Sequence, residues 1–328
     1  MARVDHWVKN VFVLPGILVA LSIEPHRIHS LSWLNLIVGL AAVCLVSSSN
    51  YVLNELLDAA SDRFHPAKSQ RAAASGGVNR MLGYAEWLAL LAAGLALSRQ
   101  ISTPLTLVLI GLWAMGCLYN IPPVRTKDVP YLDVLSEAIN NPLRMMAGWY
   151  MTGTEAIPIT TLLISYWMIG CYFMALKRFS ELNELHKSGD HAVAGAYRAS
   201  FKRYTPESLL VSVLFYASTA MLFLGAFIIR YRMELILGFP LVALTMAIYL
   251  KTAFKAESAV QNPEKLYREP LLMASFTATV LVLGILLFVR LPRLENFFTP
   301  TLPQNTAAPA NPGARLLLPS HTHPLPSA

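Results

Sequence analysis

Long apolar runs alternate with short charged ones along this chain, and the apolar runs have the length of membrane spans. A helix needs about twenty predominantly apolar residues to cross the hydrocarbon core of a bilayer. Nine stretches meet that requirement, at roughly 7 to 23, 33 to 57, 81 to 98, 102 to 120, 131 to 152, 157 to 180, 206 to 229, 234 to 252 and 269 to 290. The pattern predicts an all-α, polytopic membrane protein of nine transmembrane helices. The first run shows no small-residue cleavage signature and more spans follow it, so it reads as a retained span and not as a removed signal peptide.

Composition agrees with the pattern. Of 328 residues, 55% are hydrophobic and 14% charged, with a mean hydropathy of +0.48, whereas a soluble domain carries about a quarter charged residues. Cys44, Cys117 and Cys171 lie inside apolar runs at unrelated spacings, which suggests neither a disulfide framework nor a zinc site.

Charge sets the orientation. With the amino terminus inside, eighteen of the twenty-six Lys and Arg residues fall on that side, among them Lys9, Lys68, Arg71, Arg125, Lys127, Lys177 and Arg178. Such an asymmetry predicts a cytoplasmic amino terminus, with the chemistry at the cytoplasmic face. The net charge of +7 then describes a surface suited to anionic lipids and phosphates, not a nucleic-acid-binding domain. After Phe298 the sequence turns Pro-rich and polar, so the chain divides into a transmembrane domain over 1–298 and a disordered tail over 299–328. His321 and His323 in that tail read as solvated residues.

Four stations carry candidate chemistry. The first is Asn54-Glu55-Leu56-Leu57-Asp58-Ala59-Ala60-Ser61-Asp62. On a helix Asn54, Asp58 and Asp62 stack on one face, with Glu55 beside them. Ionisable groups next to hydrocarbon are costly and persist where they line a cavity or bind an ion. Oxygen ligands so grouped suit Mg2+, which is held by carboxylates, water and substrate phosphates. Arg63, His65, Lys68 and Arg71 follow at once, with a flexible Ser75-Gly76-Gly77 after them. Carboxylates for a metal and cations for phosphate oxygens are the two halves of a diphosphate site. A simple helix end, with Asp58 or Asp62 paired to Arg63 or Lys68, is the plainer alternative.

The second station runs from Tyr119 through Arg125, Lys127 and Asp128 to Asp133, Glu137, Asn140, Asn141 and Arg144. Asp133 and Glu137 share a helix face, and Arg144 lies deep in the span. Pairing of the two acids with Lys127 or Arg144 for packing is the alternative there. The third is Lys177-Arg178-Phe179-Ser180-Glu181-Leu182, where Lys177 and Glu181 have ion-pair spacing and where Lys177 and Arg178 can face an anionic substrate. The fourth, Tyr204-Thr205-Pro206-Glu207, reads as a helix start.

The order of these stations resembles the UbiA superfamily of intramembrane prenyltransferases. Asn54-Glu55-x-x-Asp58-x-x-x-Asp62 looks like that family's first aspartate-rich motif, with Glu55 where an aspartate is usual, and Asp133 with Glu137 looks like the second. Asp5-His6-Trp7-Val8-Lys9-Asn10, Lys177-Arg178-x-x-Glu181-Leu182 and Tyr204-Thr205-Pro206 are similar to the branch that includes decaprenyl-phosphate phosphoribosyltransferase. The resemblance spans residues 3 to 290. It implies a helical bundle around a central cavity in a bacterial inner membrane. Asn54, Glu55, Asp58, Asp62, Asp133 and Glu137 would then hold Mg2+ and diphosphate, with Asp58, Asp62, Asp133 and Glu137 as the catalytic acids. Lys9, Asn54, Lys68, Arg71, Lys127, Arg144, Lys177 and Arg178 would bind substrates, namely a diphosphate donor and a polyprenyl lipid.

Magnesium withdraws charge from a departing diphosphate, so bond cleavage can run ahead of attack without a strong protein nucleophile. Two reactions share that step. In one, phosphoribosyl diphosphate is the donor and a polyprenyl phosphate attacks through its phosphate oxygen. In the other, a polyprenyl diphosphate is the donor and an aromatic ring or another lipid-soluble nucleophile attacks. A second set of cations at Lys9, Lys177 and Arg178 favours the first. A transporter of ions or anionic lipids would call for two matching halves with broken spans, and no such repeat is visible. Protein partners leave no signature.

Overall fold

The computed structural model describes residues 1–62, 72–187, 198–261 and 263–294. Their regular secondary structure is all helical, and no strand occurs among the described residues. A 3-10 stretch, Val4–Val13, leads into α1 (Leu14–Ile23). Then come α2 (Trp33–Asp62), α3 (Arg80–Ile101), α4 (Thr103–Asn120), α5 (Leu132–Ala138), α6 (Asn140–Met151) and α7 (Thr160–Lys187). The set closes with α8 (Pro206–Tyr231), α9 (Phe239–Ala253) and α10 (Pro270–Phe288). These belong to a unit ending at Arg290; a second unit begins at Leu291, and the expected tail over 299–328 lies outside the described residues.

Seven helical stretches among the described residues are long and apolar enough to cross a membrane: His6–Ile23, Trp33–Ala59, Arg80–Ile101, Thr103–Asn120, Pro206–Tyr231, Met233–Ala253 and Pro270–Phe288. The chain is an integral membrane protein. Its outward surface is apolar accordingly: Leu214 on α8 and Ile285 on α10 are more than 60% exposed, as lipid-facing side chains are.

The other two predicted spans are helical as well, but one is broken. The stretch expected to run from 131 to 152 is divided into α5 and α6 at Ile139. Pro142 has no N–H to give the carbonyl of Ala138, and Asn140 Nδ2 donates instead to the Glu137 carbonyl at 3.0 Å. The 157–180 run becomes α7, which is 28 residues long and carries its charges in its last turns.

Helix starts follow side-chain logic. Asn79 caps α3 by accepting from Met81 N–H, and Ser102 caps α4 by accepting from Leu105 N–H. Thr205 and Ser208 form a reciprocal capping box at α8, with Pro206 at the first helical position. The start read from Tyr204-Thr205-Pro206-Glu207 is therefore present.

One crossing does most to place the site. A Cβ on Gly16 would lie 1.8 Å from the Met145 carbonyl oxygen, and one on Gly148 would lie 2.0 Å from that of Val13. Only glycine permits the amino-terminal helix and α6 to approach so closely. Asn10 and Arg144, one turn from these contacts, are brought side to side.

Candidate active site

The C-terminal turns of α2, α4 and α7 and the start of α5 bring two polar clusters together. The first is built on Asp58. Asn54 Nδ2 donates to Asp58 Oδ2 at 3.1 Å and to Asn120 Oδ1 at 2.6 Å. Lys127 Nζ reaches Asp58 Oδ1 at 2.5 Å and Asn120 Oδ1 at 3.0 Å, and an Arg125 Nη donates to the same Asp58 oxygen at 3.0 Å. Arg125 also pairs with Asp128 at 2.8 Å. Burial pushes the Lys127 ammonium below the usual lysine range, against the pull of Asp58. Asp62 is buried at the last residue of α2.

The second cluster is built on Asp133, which is fully buried. Tyr204 donates to Asp133 Oδ1 at 2.7 Å; Ser200 and Arg178 Nε donate to Oδ2 at 3.2 and 3.3 Å, and Arg198 Nε lies 3.4 Å from the same atom. Burial, and after it Asp133, pushes the Tyr204 hydroxyl well above the usual tyrosine range. Arg178 also reaches Glu137 at 2.8 Å and Glu181 at 3.2 Å. Tyr119 donates to Glu137 Oε2 at 3.0 Å and accepts from Arg198 at 2.8 Å.

These contacts correct several expectations. Asp133 was expected to ligate metal, yet both its oxygens are taken by guanidinium and hydroxyl groups. Its cationic partners are Arg178 and Arg198, and that of Glu137 is Arg178, instead of Lys127 or Arg144. Arg178, expected to face an anionic substrate, is held among three carboxylates and is 2% exposed. Glu181 pairs with Arg178 and not with Lys177, because Arg178 points inward to the α5 carboxylates. Glu55 accepts from the Ala73 backbone N–H at 3.2 Å instead of joining Asp58. Among the described residues no three His, Cys, Asp or Glu side chains converge as a metal-binding group. Arg63, His65, Lys68 and Arg71 lie outside the described residues.

A Mg2+ ion bound by one or two carboxylates, with water and substrate phosphates completing the shell, fits the first cluster. Asp58 lies at its rim with a side chain 17% exposed and Asn54 beside it; both its oxygens are held, by Asn54, Lys127 and Arg125, so an ion bound there would displace part of those contacts. Glu137 has only Oε2 committed and its side chain is 37% exposed. Asp133, without exposure, does not fit.

A third locus lies further along the bundle. Arg144 Nε donates to Asn10 Oδ1 at 2.9 Å, and an Nη donates to the Asn140 carbonyl at 3.4 Å. Lys9 is in electrostatic reach of Glu137, Lys177 and Arg144. Among the described residues no carboxylate lies within ion-pair distance of Lys9, Arg144 or Lys177. Tyr119, Asn120, Arg125, Arg198 and Asn10 carry no predicted role in the sequence. Tyr119, Asn120, Arg125 and Asn10 stand in stretches with a motif signal; Arg198 has only its charge as a signal.

The sequence model of the UbiA prenyltransferase family matches residues 13–278. A decaprenyl-phosphate phosphoribosyltransferase of Mycobacterium tuberculosis is 30% identical over 206 residues, covering 62% of this chain and 64% of that protein. The nodulation protein NoeC of Azorhizobium caulinodans is 30% identical over 189 residues, covering 57% and 58%. The match thus spans somewhat less than two thirds of these relatives. In fold, the chain is similar to a solved UbiA homologue from Archaeoglobus fulgidus bound to DMAPP and Mg2+, with a TM-score of 0.66, 20% identity and coverage of 89% and 98%.

Proposed function

Because the chain belongs to the UbiA prenyltransferase family, we propose that it is an intramembrane transferase that uses a magnesium-bound diphosphate donor and a polyprenyl substrate. The reaction we favour moves a phosphoribosyl group from phosphoribosyl diphosphate to a polyprenyl phosphate. The anomeric C–O bond to diphosphate breaks, a new bond forms from that carbon to an oxygen of the lipid phosphate, and the diphosphate leaves with the bonding electrons.

Each cluster has a part in this reading. Asp58, with Asn54 and Asp62, holds the metal side of the donor. Lys127 and Arg125 turn from Asp58 to the diphosphate oxygens when the donor arrives. Magnesium, when bound, offsets the charge that builds on the departing diphosphate. Glu137, oriented by Tyr119 and Arg178 through one oxygen, keeps the other for the donor. The amino terminus and the two clusters face the cytoplasm.

The observation that carries the phosphoribosyl reading is the cationic locus of Lys9, Arg144 and Lys177, none of which has a described carboxylate within ion-pair distance, with Glu137 in electrostatic reach of the two lysines. A second anionic substrate calls for cations beyond those at the donor. The similarity to a decaprenyl-phosphate phosphoribosyltransferase adds to it. A second reading, in which a polyprenyl diphosphate is the donor, draws support from the solved homologues bound to DMAPP and GPP with Mg2+. The two separate on Lys177→Ala. It raises KM for a polyprenyl phosphate acceptor about tenfold, the worth of one charge-assisted contact, and leaves the magnesium requirement unchanged. An unaltered acceptor KM removes the main support for phosphoribosyl transfer.

A further inference from the structure

Arg144 differs from the other buried arginines of the site. Arg178 and Arg198 sit among carboxylates, whereas both acceptors of Arg144 are neutral: the Asn10 amide oxygen and the Asn140 carbonyl. A guanidinium 8% exposed inside a membrane bundle normally has a counter-charge, since desolvation is costly. Here none of its described partners supplies one, which leaves the charge open to an anionic ligand.

Asn10 is built to preserve that state. It is 2% exposed, and its amide is engaged on both sides: Nδ2 donates to Cys44 Sγ at 3.1 Å, while Oδ1 accepts from Arg144 and, at 3.4 Å, from Ser47. The Cys44 contact fixes which end of the amide faces Arg144. The glycine crossing of α1 and α6 sets the separation. An aspartate is nearly isosteric, but it would put a full negative charge 2.9 Å from Nε and cancel the guanidinium.

We propose that Asn10 is a positioning residue, holding the Arg144 guanidinium by a neutral oxygen so that its charge remains available to the phosphate of an anionic lipid substrate. This rests on the reading above in which Lys9, Arg144 and Lys177 receive the lipid phosphate. The assignment explains why the amino-terminal stretch carries Lys9 and Asn10 together: one supplies charge, the other aims it.

The test uses full-length protein in detergent with magnesium and no donor, titrated with farnesyl phosphate and, separately, with farnesol. Wild type should prefer the phosphate by about tenfold or more, as a charge-assisted contact implies. Asn10→Asp should erase most of that preference with farnesol affinity unchanged, and Asn10→Ser, which keeps an uncharged oxygen, should retain most of it. In turnover, Asn10→Asp should raise acceptor KM while donor KM and kcat stay near wild type; a merely structural lesion lowers all three. If Asn10→Asp fails to fold, Arg144→Gln should show the same loss of preference. Phosphate preference within twofold of wild type in Asn10→Asp or Arg144→Gln overturns the proposal, as does a wild type that does not discriminate phosphate from alcohol. A wild type that binds farnesyl phosphate as described yet transfers no phosphoribosyl group sinks the reaction assigned above while upholding the role of Asn10.

Discussion

Tyr119 and Asn120, adjacent at the end of α4, send their side chains into different clusters: Tyr119 bridges Glu137 and Arg198, and Asn120 accepts from Asn54 and Lys127. Lys127 Nζ also stands 6.0 Å from the centre of the Tyr119 ring. One helical turn thus couples the Asp58 cluster to the Asp133 cluster.

Removing that bridge is the first prediction. Tyr119→Phe takes one hydroxyl from between Glu137 and Arg198 and leaves the ring in place. Activity should fall about tenfold with a stability loss of about 1 kcal/mol, the worth of one such hydrogen bond. Steady-state kinetics and thermal melts in detergent check both.

Asp58→Asn and Asp133→Asn should fail in opposite ways. Asp58→Asn keeps the fold and loses at least about 100-fold in kcat, as expected where the carboxylate that would hold the ion beside the departing diphosphate is neutralised. Asp133→Asn leaves Arg178 and Arg198 short of a buried counter-charge. It should cost about 3 kcal/mol, the low end for a broken buried pair because Glu137 and Glu181 remain near Arg178. Melting curves and magnesium titrations of both variants separate a substrate-facing carboxylate from one that holds the bundle together.

The pH response should trace to Lys127. Its proton is needed for a phosphate contact, and burial lowers its pKa, so the ammonium is lost at a lower pH than for an ordinary lysine of about 10.4. Donor KM should therefore rise as pH is raised on the alkaline side. Lys127→Arg, which does not titrate there, should flatten that rise; an unchanged alkaline limb assigns it to another group.

How far the sequence foretold this site depends on the range of each contact. The spans were legible because twenty apolar residues in a row have one reading, and the start of α8 because Thr205-Pro206 is a local capping signal. The break at Ile139 was encoded in Pro142 but hidden by the apolar residues on both sides. Local spacing misled at Glu181: the four-residue rule pairs it with Lys177, whereas the inward face of α7 gives it to Arg178. Asp133 meets Arg178, Arg198 and Tyr204 across 45 to 71 residues of sequence, and no periodicity carries contacts of that range. The charge of Arg144 was visible in its span; the neutrality of its partners was not.

In the proposed reaction diphosphate leaves the anomeric carbon and the lipid phosphate receives the phosphoribosyl group. Purified protein with magnesium should be given phosphoribosyl diphosphate labelled in the ribose together with polyprenyl phosphate and, in parallel, labelled prenyl diphosphate with aromatic acceptors. The account predicts ribose label in the lipid phase, dependent on magnesium and lost in Asp58→Asn. Label entering a lipid product only from the prenyl diphosphate would contradict it.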